Sequence, residues 1–205
     1  MHKLAPLVIV IVLGLASVAS ANLLVNGDFS QNGVPAALGT TNISSWSSWG
    51  SSGYYNDDID SQMSVKIWWD DSGLWQDWSA TAGEAYTLAV DARQQSTDPL
   101  VSWRGYLKVE FYNSTNGQIA SQELDYLTPT DSKDTWLQLS GTYTAPVDTV
   151  YGRILLGMNN WASNAAGSVY FDNASVVAAI PEPTMAALFG FAGLIFLAAR
   201  RMVRR

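Results

Sequence analysis

From Met63 onward the chain is written in a period of two. Met63, Val65 and Ile67 alternate with Ser64, Lys66 and Trp68. Between Ala85 and Arg93, the residues Tyr86, Leu88, Val90 and Ala92 alternate with smaller or polar partners. Between Trp103 and Tyr112, the residues Leu107, Val109 and Phe111 alternate with Tyr106 and Lys108. This period sends successive side chains to opposite faces of a strand, so each stretch can bury one face and leave the other wet. Further strands are predicted at Leu74–Trp78, Ile119–Leu124, Trp136–Tyr143, Tyr151–Gly157 and Ser168–Val177. A short first strand is predicted at Asn22–Asn26, closed by the turn signal Asn26-Gly27, and Asn113–Gly117 reads as a hairpin turn. The Ser- and Trp-rich stretch from Ile43 to Gly53 reads as a ragged strand and a long loop, followed by an acidic cluster, Asp57, Asp58 and Asp60. Strands at this spacing, with Gly, Asn, Pro and Asp between them and no long helical period, predict an all-β sandwich.

The two ends follow a different pattern. Met1-His2-Lys3 is a short basic start, Leu4–Leu15 is apolar, and Ala19-Ser20-Ala21 is a small-x-small cleavage site. Together they predict a signal peptide over residues 1–21, helical in its apolar part, with the mature chain beginning at Asn22. At the other end, Pro181-Glu182-Pro183 precedes an uncharged run, Thr184–Ala199, and then Arg200, Arg201, Arg204 and Arg205. The prolines keep the backbone extended. A helix over the apolar run would be about 24 Å long at about 1.5 Å per residue. That is short for a bilayer core of about 30 Å, unless Met202, Val203 and snorkelling arginines extend it. The arginines are expected to stay cytoplasmic.

This tripartite tail over residues 180–205 resembles the PEP-CTERM sorting signal of Gram-negative bacteria. The resemblance implies an exosortase partner, cleavage near Pro181–Pro183, an inner-membrane anchor before processing, and a cell surface or extracellular matrix destination afterwards. The alternative is a plain C-terminal transmembrane anchor.

Residues 22–179 remain as one domain, long enough for a sizeable core. They carry 17 acidic and 6 basic residues, a net charge of −11. Such a domain repels nucleic acid and anionic membrane, and suits divalent cations or neutral ligands. The chain has no cysteine, and its single histidine is His2. Serine–histidine triads, cysteine nucleophiles and the usual zinc sites are therefore excluded from the mature domain.

Four segments resemble the galactose-binding-like jelly rolls, a fold shared by many carbohydrate-binding modules. They are Asn22-Leu-Leu-Val-Asn-Gly-Asp-Phe-Ser30, the pair Gly73–Asp77 and Ala82–Leu88, and Val169-Tyr-Phe-Asp-Asn-Ala-Ser-Val176. The resemblance implies a jelly-roll sandwich over residues 22–179. It also implies a structural Ca²⁺ held by Asp28 and Asp172 near the first and last strands, although Ser30 stands where the family usually has glutamate. The alternative for both aspartates is the satisfaction of backbone groups in turns.

All nine tryptophans lie in the mature domain. Trp68 and Trp69 are adjacent and must point to opposite faces of a strand, and Trp75 and Trp78 must likewise split. Trp46, Trp49 and Trp161 stand among Ser and Asn. Aromatic rings stack on the apolar faces of sugars without needing charge, so Trp46, Trp49, Trp69 and Trp161 are the candidate carbohydrate-binding residues, at least two of them expected to be exposed. Glu84, Glu110 and Glu123 are available for glycoside chemistry, but no local motif pairs them. The expectation is a non-catalytic exported protein associated with extracellular polysaccharide in a biofilm matrix. The alternatives are a specific carbohydrate-binding module and, third, a glycoside-active enzyme.

Overall fold

The computed structural model describes residues 21–31, 39, 41–50, 54–68, 71–160 and 166–179. The alternating stretches form ten strands: β1 (Ser47–Trp49), β2 (Tyr54–Ile59), β3 (Gln62–Trp68), β4 (Ser72–Ser79), β5 (Ala85–Arg93), β6 (Trp103–Tyr112), β7 (Gln118–Leu127), β8 (Leu137–Thr144), β9 (Tyr151–Asn160) and β10 (Ser168–Ala178). They make two five-stranded antiparallel sheets, a front sheet ordered β1-β4-β9-β6-β7 and a back sheet ordered β2-β3-β10-β5-β8.

The period of two decides what lies between the sheets. Leu74 and Trp78 of β4, Leu107, Val109 and Phe111 of β6, and Ile154, Leu156 and Met158 of β9 face inward from the front. Val65, Ile67, Leu88, Val90, Ala92, Val169, Phe171 and Val176 meet them from the back. Each such Leu, Ile or Phe contributes about 1.5–3 kcal/mol by leaving water. Trp75 and Trp78 split as their spacing requires: Trp78 is buried in the core and Trp75 is half-buried on the outer face.

The expected first strand is not one. Asn22–Asn26 carries no strand assignment, because side chains take the place of a ladder. Asn22 Oδ1 accepts from the amides of Leu24 and Val176, and its Nδ2 donates to Ala174 O. Gln76 on β4 both donates to and accepts from the Val25 backbone. Gly27 passes so close to Ala174 O that a Cβ there would overlap it. The opening motif is thus a clasp on the bulge in β10 between Asp172 and Ser175.

Asp57 and Asp58, expected in a loop, belong to edge strand β2, and Asp60 sits in the turn that follows. Residues 1–20 of the segment read as signal peptide, and the apolar helix and sorting signal, including Pro181, Glu182, Pro183, Arg200, Arg201, Arg204 and Arg205, lie outside the described residues. Among the described residues no helix is long and apolar enough to cross a membrane.

Candidate functional site

The outer face of the front sheet is a lattice of aromatic and charged side chains set by strand register. One row crosses all five strands: Trp49, Gly73, Gly157, Tyr106 and Tyr126 are paired neighbours in turn. Two glycines in the middle leave a trough, and Trp49 lies over it. A Cβ on Gly73 would overlap the Trp49 ring, and one on Gly157 would meet Tyr106 and Trp49. Two residues further along, Trp75, Leu155, Lys108 and Glu123 form the next row, then Asp77, Arg153, Glu110 and Ser121, then Ser79, Tyr151, Tyr112 and Gln118. From Gly157 to Tyr151 the lattice runs about 20 Å at roughly 3.4 Å per residue.

The lattice is braced from within. Arg153 makes a bidentate pair with Asp77, Nε to Oδ1 at 2.6 Å and Nη2 to Oδ2 at 3.0 Å. Its guanidinium carbon lies 3.6 Å from the Trp75 ring centroid and 4.9 Å from that of Tyr112. Tyr112 stacks on Tyr151 at 4.8 Å and 4°. The Tyr112 hydroxyl donates to Glu110 Oε2 at 2.5 Å, and Lys108 pairs with Glu110 Oε1 at 2.8 Å. Arg104 pairs with Glu123 at 2.8 Å, lies over Tyr126 at 4.2 Å and donates to Asn159, and the Tyr126 hydroxyl donates to the same Glu123 oxygen. Such bidentate and charge-assisted bonds are short and hold their geometry.

Burial raises Tyr106, with the Asp71, Glu123 and Glu110 carboxylates adding to it. Burial and the bond to Glu110 raise Tyr112, and burial and Glu123 raise Tyr126. All three phenols therefore stay protonated at neutral pH, and those of Tyr112 and Tyr126 donate to Glu110 and Glu123. Their rings are largely held by neighbours, while Trp49, Trp75, Tyr112, Tyr126 and Tyr151 remain half-buried rather than covered.

Only part of this face matches the candidates named from sequence. Trp49 is on it, and its Nε1 donates to Asp71 Oδ1 at 3.3 Å. Trp46 is not: it is 8% exposed, its Nε1 donates to Asn26 O at 3.0 Å, and its ring packs against Phe29 at 5.3 Å. The Ser-rich sequence around Trp46 hid a core residue that seals the clasp. Trp69 and Trp161 lie outside the described residues. Trp75, Tyr106, Tyr112, Tyr126 and Tyr151 are functional candidates that the sequence reading did not pick out. Their signal was the alternation itself, since Arg104, Tyr106, Lys108, Glu110 and Tyr112 form one face of β6.

Asp172 is 4% exposed, and burial, then the Asp91 and Asp28 carboxylates, push it up to about 6. Its Oδ1 accepts from the Asn173 amide at 2.6 Å. The Asp28 carboxylate is thus close enough to act on Asp172 through its charge. Among the described residues, however, no group of three or more His, Cys, Asp or Glu side chains is placed to hold a metal ion. Two carboxylates fall short of the six to eight oxygens that Ca²⁺ takes.

No protein-family model matches the sequence, and no curated protein is similar to it. Solved structures do share the fold. The C-terminal family 22 carbohydrate-binding module of Clostridium thermocellum Xyn10B aligns at 14% identity and TM-score 0.55, covering 78% of this chain and 98% of the module. TmCBM61, solved in complex with β-1,4-galactotriose, aligns at 17% identity and TM-score 0.53, covering 78% and 100%. The enzymatically active domain of tailspike protein 4 from bacteriophage CBA120 aligns at 12% identity and TM-score 0.53, but this chain covers only 21% of it. The architecture is that of the carbohydrate-binding-module jelly rolls, an all-β sandwich of two antiparallel sheets.

Proposed function

We propose that residues 22–179 are a carbohydrate-binding module whose binding surface is the outer face of the front sheet. One observation carries this: five half-buried aromatic side chains, Trp49, Trp75, Tyr112, Tyr126 and Tyr151, share that one face above the buried Tyr106, and ion pairs on the same face hold Trp75, Tyr112 and Tyr126. Aromatic faces supply stacking area for sugar rings. Phenol, carboxylate and amide groups between them supply donors and acceptors that fix the orientation of sugar hydroxyls. A lattice about 20 Å long suits an extended polymer chain better than a single sugar. The fold neighbours support binding over a purely structural matrix role. The bracing also favours binding over catalysis, because Glu110 and Glu123 are each tied to a cation and a phenol.

In this reading the module is exported by the signal peptide and carried to the surface by exosortase processing at Pro181–Pro183, where extracellular polysaccharide is its ligand. A calcium ion at Asp28 and Asp172 stays part of the proposal on that pair alone. Melting in chelator and in millimolar Ca²⁺ tests it, since a ligand of the folded state raises the melting temperature; superimposable curves end it. Retention of the chain in gels containing embedded polysaccharides tests the binding function. At least one polysaccharide is expected to retard it, and free migration through a broad panel of glucans, galactans, xylans, mannans and polyuronates would contradict the reading.

A further inference from the structure

Resting on that binding reading, we infer that the face selects neutral, hydroxyl-only polysaccharides and excludes chains that carry carboxylates. Recognition of a uronate needs a cation whose charge is not already neutralised by the protein's own carboxylates. On this face each cation is already matched to a carboxylate at close range: Arg153 to Asp77, Lys108 to Glu110 and Arg104 to Glu123. Asp71, at the Trp49 end, adds a fourth carboxylate against three cations. The pairing extends over the module. Of its six basic residues, Lys66 and Arg93 on the back sheet pair with aspartates in turns and loops beside it, and Lys133 is held by Pro129 O.

The pairs are not loosely swappable for a ligand's carboxylate. Arg153 is fixed on one side by the Trp75 ring and on its edge by two bonds to Asp77. Glu110 is buried and accepts from both Lys108 and Tyr112. An anionic sugar seated here would face these carboxylates and would have to leave its own hydration shell with no unneutralised cation in exchange, and like charges brought together in an interface are costly. A neutral sugar meets the same carboxylates as acceptors for its hydroxyls, which are charge-assisted and strong. The ion pairs thus act as a charge filter as well as a brace.

The full chain in mild detergent is the sample, with chelator present so that calcium cannot bridge carboxylates. A neutral polysaccharide that retards the chain is compared with the same polymer oxidised at C6 to the carboxylate. Binding to the oxidised polymer is expected to be at least about tenfold weaker, as like-charge contact implies. The loss should persist in about 1 M NaCl, where the screening length is about 3 Å and the overall charge of the module no longer acts at range. Asp77→Asn, at an exposed position, releases the Arg153 donors and should shrink the ratio several-fold, both polymers being measured on the same variant. Equal or tighter binding of the oxidised polymer, or retention by polyuronates alone, would overturn the filter. An unchanged ratio in Asp77→Asn would overturn its assignment to the paired cations. Free migration through every polymer would instead remove the binding function itself.

Discussion

Trp46 and Trp75 show how little a residue's local company says about its role. Trp46 stands among serines and is core, with its indole N–H satisfied by Asn26 O. Trp75 stands beside Leu74 in a core-forming strand and is half-buried on the outer face over Arg153. Truncation should separate them. Trp46→Ala is expected to cost about 3–5 kcal/mol of stability, as for a buried aromatic. Trp75→Ala is expected to cost far less and to weaken polysaccharide retention severely. Chemical denaturation beside gel retention on the same variants measures both.

Asp172 makes a second prediction at this scale. Its folded-state value is raised to about 6 from 3.8, so the folded chain takes up its proton more readily than the unfolded chain. The group therefore costs stability above pH 6, and that cost is relieved as pH falls through 6 towards 4. Asp172→Asn keeps an oxygen for the Asn173 amide and removes the charge. In chelator it should be more stable than the parent at pH 7.5 by about 3 kcal/mol, since each tenfold change in proton affinity is worth roughly 1.4 kcal/mol. The difference should fade by pH 4. A gap independent of pH would refute the charge as its cause.

Among the elements, β5 was legible to the residue, because Ala85–Arg93 keeps its alternation without interruption. β9 was not. Its last residues, Met158-Asn159-Asn160, look like a turn in sequence yet are paired with β6 to the end, and Ser72 of β4 pairs with Met158. Tertiary partners on both sides overrode the local signal. The opening segment failed in the other direction, since Asn22 and Gln76 side chains supply bonds that a strand would have drawn from a ladder.

Buried glutamines do similar work elsewhere and leave no trace in hydropathy. Gln94 is fully buried, donates to Thr128 O and Asp131 O, and accepts from the Leu100 amide, so one side chain ties three points of two loops. Gln94→Ala would strand those groups. At about 1–3 kcal/mol per unsatisfied buried group it should cost several kcal/mol, measured by denaturation. A cost below about 1 kcal/mol would mean that the loops hold themselves.

For the whole molecule, sequence conveyed the two-sheet sandwich and the excess of negative charge, because both depend on patterns that survive any register. It could not convey which outer face carries the site. Alternation says that Tyr106 and Leu107 point apart, but only the pairing of β1, β4, β9, β6 and β7 brings Trp49, Tyr106 and Tyr126 into one row. The sorting proposal also belongs to this scale. Mass spectrometry of surface-isolated protein is expected to find a chain ending near Pro183 without Arg200–Arg205, and full-length chain confined to the membrane fraction would contradict it.

The placement of the binding surface is decided by comparing the two sheets in one gel-retention experiment. Trp49→Ala and Trp75→Ala alter the front face, and Trp136→Ala, beside Arg93 and next to β8, is the control away from it. With all three variants folded by melting, both front-sheet variants are expected to migrate freely through a polysaccharide that retards the parent, while Trp136→Ala is retarded as the parent is. Retention by the front-sheet variants together with its loss in Trp136→Ala would place the ligand elsewhere and refute the front face as the binding surface.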